Sequence, residues 1–213
     1  MSEPNPNIFN AILTGKNVDA KKFVQDALDA GENPHEIITN SMITAMDEAG
    51  KRFEEHKFFV PQLMIAARAM KESLAILSPL LAASGAEPIG TVVIGTVMGD
   101  MHDIGKNLVA SMLEGAGFRV VDLGVNVAPD KFLKALQENN AEILCMSALL
   151  TTTMPAMKKT IEALDAAEMR NSIQVMIGGA PVTQAYADEI GADGYSDNAN
   201  SAVVLARKLI SRA

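Results

Sequence analysis

The sequence is short of cysteine, histidine and positive charge. Across 213 residues, 26 Asp and Glu outnumber 18 Lys and Arg, for a net charge of −8. The lone cysteine, Cys145, excludes an internal disulfide and fits a reducing compartment. The acidic balance argues against nucleic acid, whose phosphates need a basic face, and against an anionic membrane surface. No apolar run reaches the ~18 residues of a membrane span. The nearest, LAILSPLLAASGA (74–86), is interrupted by Pro79. The opening MSEPNPNIFN has neither a basic n-region nor an apolar h-region, so no secretory signal and a cytoplasmic location are expected. Hydrophobic residues at 48% suffice for a packed core in one large or two small domains.

Up to about residue 84 the periodicity is helical. NVDAKKFVQDALDAGENP (17–34) puts Ala20, Phe23, Val24, Ala27 and Leu28 on one stripe, with Gly31 as a stop. The next helix opens on Asn33, Pro34 and Glu36, an N-cap, a first-turn proline and a capping-box acid. Its buried stripe is Ile38, Met42, Ala45, Met46 and Ala49. A third segment, VPQLMIAARAMKESLAIL (60–77), carries Val60, Leu63, Met64, Ala67, Met70, Leu74 and Leu77. With NIFNAIL (7–13) in front, these make a four-helix bundle over 1–86. ASGAEPIG (83–90) reads as the linker. From 87 to 213 strands at 90–97, 119–123, 142–147, 173–177 and 193–196 alternate with helices at 104–116, 130–138, 153–168, 181–189 and 198–211. That alternation predicts an α/β domain: a flavodoxin-like (Rossmann-type) five-stranded parallel sheet covered on both faces, with ligands at the carboxyl ends of its strands.

Three features fall at those ends. GDMHDIGKN (99–107) follows the first strand, with Gly99, Asp100, Met101, His102, Asp103 and then Gly105 at a helix start. Ser147, Ala148 and Leu149 follow the third strand and lead into Thr151, Thr152 and Thr153. Gly178 and Gly179 follow the fourth. A neutral imidazole is a metal ligand, and a carboxylate on its other nitrogen fixes the tautomer. Asp100 is near enough to His102 to be that carboxylate, and Thr153 offers it a hydroxyl. Gly105 and the Gly178–Gly179 pair leave backbone bare where something bulky passes, and Ser147 adds a hydroxyl at its edge. A zinc site wants three or four protein ligands. His35 and His56 lie in the helical half and Cys145 lies inside a strand. A single imidazole suits a metal that arrives inside a macrocycle. Taken singly, each piece also has an ordinary reading: a solvated loop histidine, a strand-to-helix turn at Gly178–Gly179, a helix N-cap run at Thr151–Thr153.

The three motifs together are more specific. The pattern D-x-H-x-x-G, 41 residues, S-x-L, 28 residues, G-G resembles the cobalamin-binding domain of methionine synthase and its relatives. RFEEHKFFVPQLMIAARAMKESLAIL (52–77) is similar to the helical cap of the same family. At this length the chain most resembles the free-standing corrinoid proteins of methyltransferase systems. The resemblance implies cobalamin or a related corrinoid as cofactor, cycling between cob(I)alamin and methylcob(III)alamin. It implies His102 as the cobalt axial ligand, in a relay with Asp100 and Thr153. It implies that Ser147, Leu149, Thr151, Gly105, Gly178 and Gly179 line a slot for the nucleotide tail, with Ala199 near the rim of the cofactor. Phe53 and Val60 match cap positions above the corrin, where leucine is common at the second.

The implied role is to carry a methyl group between two partners. One is a substrate:corrinoid methyltransferase for methylamine, betaine, methanol or methoxyaromatic donors; the other is a methyltransferase with a thiol or folate acceptor. A corrinoid reactivating protein is a further candidate partner, and the chain is a carrier without catalysis of its own. On this reading Asp100 takes a proton when His102 leaves the cobalt. Two alternatives share the motif. A small subunit of an adenosylcobalamin-dependent mutase is not expected to carry this cap. Regulatory or photosensory cobalamin proteins usually append a basic DNA-binding region, absent from this acidic chain. A receiver domain shares the fold but wants an aspartate where Ser147 stands.

Overall fold

The computed structural model describes residues 4–84 and 88–211, without the side chains of 78 and 81–84. It divides into two compact units, Met1–Pro88 with Glu114–Gly117, and Ile89–Leu113 with Phe118–Ala213. The middle of the expected linker, 85–87, and the expected boundary between 86 and 87 lie outside the described residues.

The helical unit holds α1 (Pro6–Leu13), α2 (Asn17–Asp29), α3 (Pro34–Glu36), α4 (Ile43–Glu54) and α5 (Val60–Ser84). Asn5 and Asn33 cap α1 and α3, each followed by a first-turn proline. Between α3 and α4 the chain keeps winding as a π-helix, Ile37–Met42, which the sequence pattern did not foretell. The buried Ser41 hydroxyl there accepts the backbone N–H of Asn5 at 2.8 Å. The stripe Ile38, Met42, Ala45, Met46 and Ala49 is buried as expected. Two stripe assignments on α5 are corrected, because Val60 and Met64 are exposed. The buried face of that helix runs instead through Leu63, Ala66, Ala67, Met70, Ser73 and Leu77.

The second unit is a five-stranded sheet in the order β2-β1-β3-β4-β5, every neighbouring pair parallel. The strands are β1 (Thr91–Thr96), β2 (Arg119–Asp122), β3 (Ile143–Ser147), β4 (Gln174–Gly178) and β5 (Gly194–Ser196). They alternate with α6 (Ile104–Gly115), α7 (Pro129–Asn139), α8 (Pro155–Ala166), α9 (Gln184–Ile190) and α10 (Ala199–Ile210). The largest departure from the pattern is α9, expected from 181, which starts later because Thr183 takes the N-cap and accepts the Tyr186 N–H. β1 is buried at every position, as a strand covered on both faces must be. Gly95 in its middle is needed for packing: a Cβ there would stand 2.8 Å from the buried Phe132 ring. The order 2-1-3-4-5 reverses direction between β1 and β3, so the crevice for a ligand opens outside their carboxyl ends. Among the described residues no helix is long and apolar enough to cross a membrane.

Candidate functional site

The crevice is bounded by the loop after β1 and the loop after β3, and a single carboxylate ties them together. Gly99 turns the chain with φ 86°, and Asp100 follows with no exposed surface. One oxygen, Oδ1, accepts the backbone N–H of His102 at 3.1 Å and lies 2.7 Å from the ring Nδ1. The other, Oδ2, reaches across to the second loop. It accepts the Leu149 N–H at 2.8 Å, the Leu150 N–H at 3.3 Å and the Thr153 hydroxyl at 2.7 Å. Burial alone would raise this carboxyl. The donors from Thr153, Leu149 and His102 outweigh burial and hold it well below the usual carboxylate range.

An ionised carboxylate at 2.7 Å can only accept, so His102 Nδ1 carries the proton. In the neutral ring Nε2 then keeps its lone pair, and the His102 side chain is half exposed. The histidine is held from behind as well: the buried Thr96 hydroxyl donates to its carbonyl at 2.8 Å. The arrangement offers one oriented imidazole nitrogen to a ligand. The Asp100 carboxylate receives five hydrogen bonds, two from His102 and three from the loop after β3, and together they favour its ionised form.

The remaining expected residues are spread over several elements. Leu149 and Thr153 join Asp100 directly, while Ser147 sits half-buried at the end of β3, its carbonyl accepting the Val97 N–H. Gly178 and Gly179 end the neighbouring strand. A Cβ on Gly178 would stand 3.0 Å from the Ser196 carbonyl oxygen, and one on Gly179 would collide with the Ala148 backbone. Gly105, in contrast, has nothing within 4 Å of where its Cβ would be, so open space lies beside it. Thr151 is exposed, and Ala199 is buried in the first turn of α10 behind the Asn198 cap. Asp103 bonds Asn107, one turn into α6. Phe53 and Val60 belong to the helical unit, in the last turn of α4 and at the start of α5.

Sequence reasoning missed three features. Beside Met101 and Leu149, already named from the sequence, Met98 and Ile104 after β1 and Leu150 after β3 are also exposed. Exposed apolar residues on adjoining loops mark a binding surface more often than chance. Lys106 is buried in the first turn of α6 and pairs with Asp122 at the end of β2. A cation at a helix N-terminus opposes the helix dipole, which is the signal that could have exposed it. Asn126 braces the β1 loop from the β2 side, and a lone asparagine in a loop carries no such signal. Cys145 is inert, its thiol pushed up to about 12 by burial.

These residues fit a metal held in a macrocycle. Among the described residues no three His, Cys, Asp or Glu side chains are grouped to hold a metal ion. One free imidazole nitrogen would suit a metal that brings its other ligands, and the exposed Met, Ile and Leu side chains suit the apolar face of such a ring.

Comparison with known proteins points the same way. Residues 90–204 match the family described as B12 binding domain, and 7–78 match a second family of that description. The chain is 46% identical to the dimethylamine corrinoid protein of Methanosarcina barkeri over 96% of both chains. It is 43% identical to trimethylamine corrinoid protein 2 of Methanosarcina mazei, over 86% of this chain and 85% of that one. Among solved structures, the methanol:cobalamin methyltransferase complex MtaBC of Methanosarcina barkeri matches with a TM-score of 0.87 at 32% identity. That match covers 99% of this chain and 82% of that one.

Proposed function

Because the chain belongs to the family of B12-binding corrinoid proteins, we propose that it holds its corrinoid through His102 and carries a methyl group between two methyltransferases. One observation carries this reading: Asp100 Oδ1 holds His102 Nδ1 at 2.7 Å, which leaves Nε2 as the free nitrogen of a half-exposed ring. When bound, the corrinoid supplies a cobalt that takes up and gives away the methyl group. The chain's own residues do the rest.

Asp100 keeps Nδ1 protonated and makes the ring a better donor at Nε2. Thr153 and the Leu149 and Leu150 N–H groups hold Asp100 in place, and Thr96 holds the His102 carbonyl. The exposed side chains of Met98, Met101, Ile104 and Leu150 would offer the bound corrinoid an apolar surface beside His102. The tail slot is assigned to Ser147, Leu149, Thr151, Gly105, Gly178 and Gly179, with Ala199 at the rim; the open space at Gly105 supports it. Phe53 and Val60 are assigned to the upper face.

The partners proposed are a donor-side methyltransferase and a second one with a thiol or folate acceptor, with a reactivating protein beside them and all in the cytoplasm. Relatives named for dimethylamine and trimethylamine support a methylamine donor for this chain, ahead of methanol. The test is an electron paramagnetic resonance spectrum of bound cob(II)alamin with nitrogen-15 only in histidine. Cobalt lines split into doublets establish a protein histidine as axial ligand, and His102→Ala then abolishes the splitting. Triplets mean that the cofactor keeps its own base, and they sink the proposal.

A further inference from the structure

The turn after β2 touches the site from the side that the proposed function leaves unused. We propose that Asn126 is a positioning residue: its backbone and its side-chain oxygen together clamp the β1 loop at the place from which it presents His102. The inference rests on the reading of His102 given above.

Asn126 has φ 52°, in the left-handed region that asparagine tolerates better than other side chains. In that conformation its N–H donates to the Asp100 carbonyl at 3.0 Å. Its Oδ1 accepts the Gly99 N–H at 2.8 Å. One residue thus fixes two consecutive residues of the loop, the two just before the Met101–His102 pair. The clamp is itself anchored. Val127 bridges Val97, its N–H donating to the Thr96 carbonyl at 2.9 Å, and the Thr96 N–H donates to the Gly124 carbonyl at 3.0 Å. Gly124 in turn donates to Asp122 at 2.9 Å, and Asp122 holds the buried Lys106 of α6. Asn126 therefore extends the β1–β2 ladder and does not hang from a loose loop.

The geometry explains why the oxygen matters. The Asp100 carboxylate is gripped from the β3 side by Leu149, Leu150 and Thr153, and the Asp100 backbone from the β2 side by Asn126. Gly99, with φ 86° and no side chain, is the natural pivot between β1 and Asp100. Two bonds restrain it, the Asp100 N–H to the Val97 carbonyl at 3.1 Å and the Gly99 N–H to Asn126, and only the second comes from outside the loop. Without that bond Asp100 swings on its side-chain contacts and the ring of His102 swings with it.

Two substitutions isolate the oxygen. Asn126→Gly keeps the left-handed backbone and the bond to the Asp100 carbonyl but removes the acceptor. Asn126→Asp keeps an acceptor in a residue that also tolerates this conformation. In the protein without cofactor, Asn126→Gly should speed amide exchange of Gly99 about fivefold, as expected for loss of one hydrogen bond. With cob(II)alamin bound, the same variant should lose at least about half of the histidine doublet signal. Asn126→Asp should restore both, a rescue that a change in melting temperature alone does not imitate. Unchanged Gly99 exchange and unchanged doublets in Asn126→Gly overturn the proposal. Equal losses in both variants overturn it as well, because the oxygen is then irrelevant. Wild-type triplets overturn the His102 reading and this inference together, whereas wild-type doublets that survive Asn126→Gly overturn this inference alone.

Discussion

Asp100 at the mouth of the sheet and Glu72 on α5 of the helical unit are both held ionised below the usual carboxylate range, by different kinds of partner. Glu72 is lowered to about 2 by Lys21, Arg68 and Asn17, at 2.8, 2.8 and 3.0 Å, on a partly exposed helix face. Asp100 is buried and receives only N–H and O–H groups, most of them from a loop about fifty residues away. A depressed carboxylate is thus no mark of function by itself. What separates the two is that Asp100 joins one imidazole to the loop after β3, while Glu72 ties three side chains of the helical unit. The helical unit has two histidines of its own, and His56 sits exposed on a turn with φ 57°.

The most damaging way to disturb the buried region is through its backbone. Gly179→Ala drives a Cβ into the Ala148 backbone at a φ of 128° that side chains rarely adopt. It should cost about 3 kcal/mol or more of stability in urea unfolding. Gly105→Ala is the control on the same rim. Its Cβ meets open space, so stability should hold or rise by about 0.5–1 kcal/mol. Cobalamin retention after desalting should nevertheless fall. Full retention in Gly105→Ala would remove that glycine from the tail slot.

Next in size is Asp100→Asn. An amide cannot accept from all the groups that Asp100 now serves, and stranding one or two buried donors costs about 2–3 kcal/mol. The pH dependence has a definite sign. The folded-state value is depressed, so the stabilisation is fully present above the unfolded value of about 3.9 and is lost as pH falls through the folded one. The variant should therefore flatten the acid limb of the stability curve below about pH 4. An acid limb of unchanged slope contradicts the hydrogen-bond assignment.

Between the buried and solvated extremes lies the Lys106–Asp122 pair, with side-chain exposures of 1% and 37%. Its two halves should respond unequally. Asp122→Asn leaves an ammonium buried without its counter-charge, at a cost of about 1–3 kcal/mol after discounting for the exposed partner. Lys106→Met leaves a carboxylate that water reaches and should cost less than about 1 kcal/mol. Equal effects in urea unfolding would mean that burial of the lysine does not govern the pair.

The sequence disclosed these regions unevenly, for physical reasons. The change from a helical to an alternating period revealed both units, because burial on one stripe or on two sheet faces writes itself into residue order. Asp100 and His102 were legible because they follow a strand and their spacing matches a known pattern, and Thr153 because the same resemblance places a hydroxyl there. Asn126 was not, since its work is done by a backbone angle and one oxygen that any loop asparagine possesses. Met64 was placed in the core by a stripe drawn too wide: Ala66 and Ala67 already supply the contact, and the helix turns Met64 outward. The π-helical stretch escaped because its buried residues, Ile37 with Ser41 and Ile38 with Met42, pair at the four-residue spacing of an α-helix.

The finest test of the opening contrast is salt. Glu72→Gln should also flatten the acid limb, between the ordinary glutamate value of 4.5 and the folded value of about 2, since this group too contributes above that window and loses its contribution below it. Its partners are charged and reached by solvent, so raising the salt from 0.1 M to 1 M, which shortens the screening length from about 10 to about 3 Å, should erase most of the difference from wild type. The Asp100→Asn difference should survive the same change, because its donors are mostly neutral and the carboxylate is out of reach of ions. Paired acid-denaturation curves of the two variants at both salt concentrations decide the matter. If the two differences shrink together, both carboxylates answer to screened charge, and the distinction between an orienting carboxylate and a surface tie is lost.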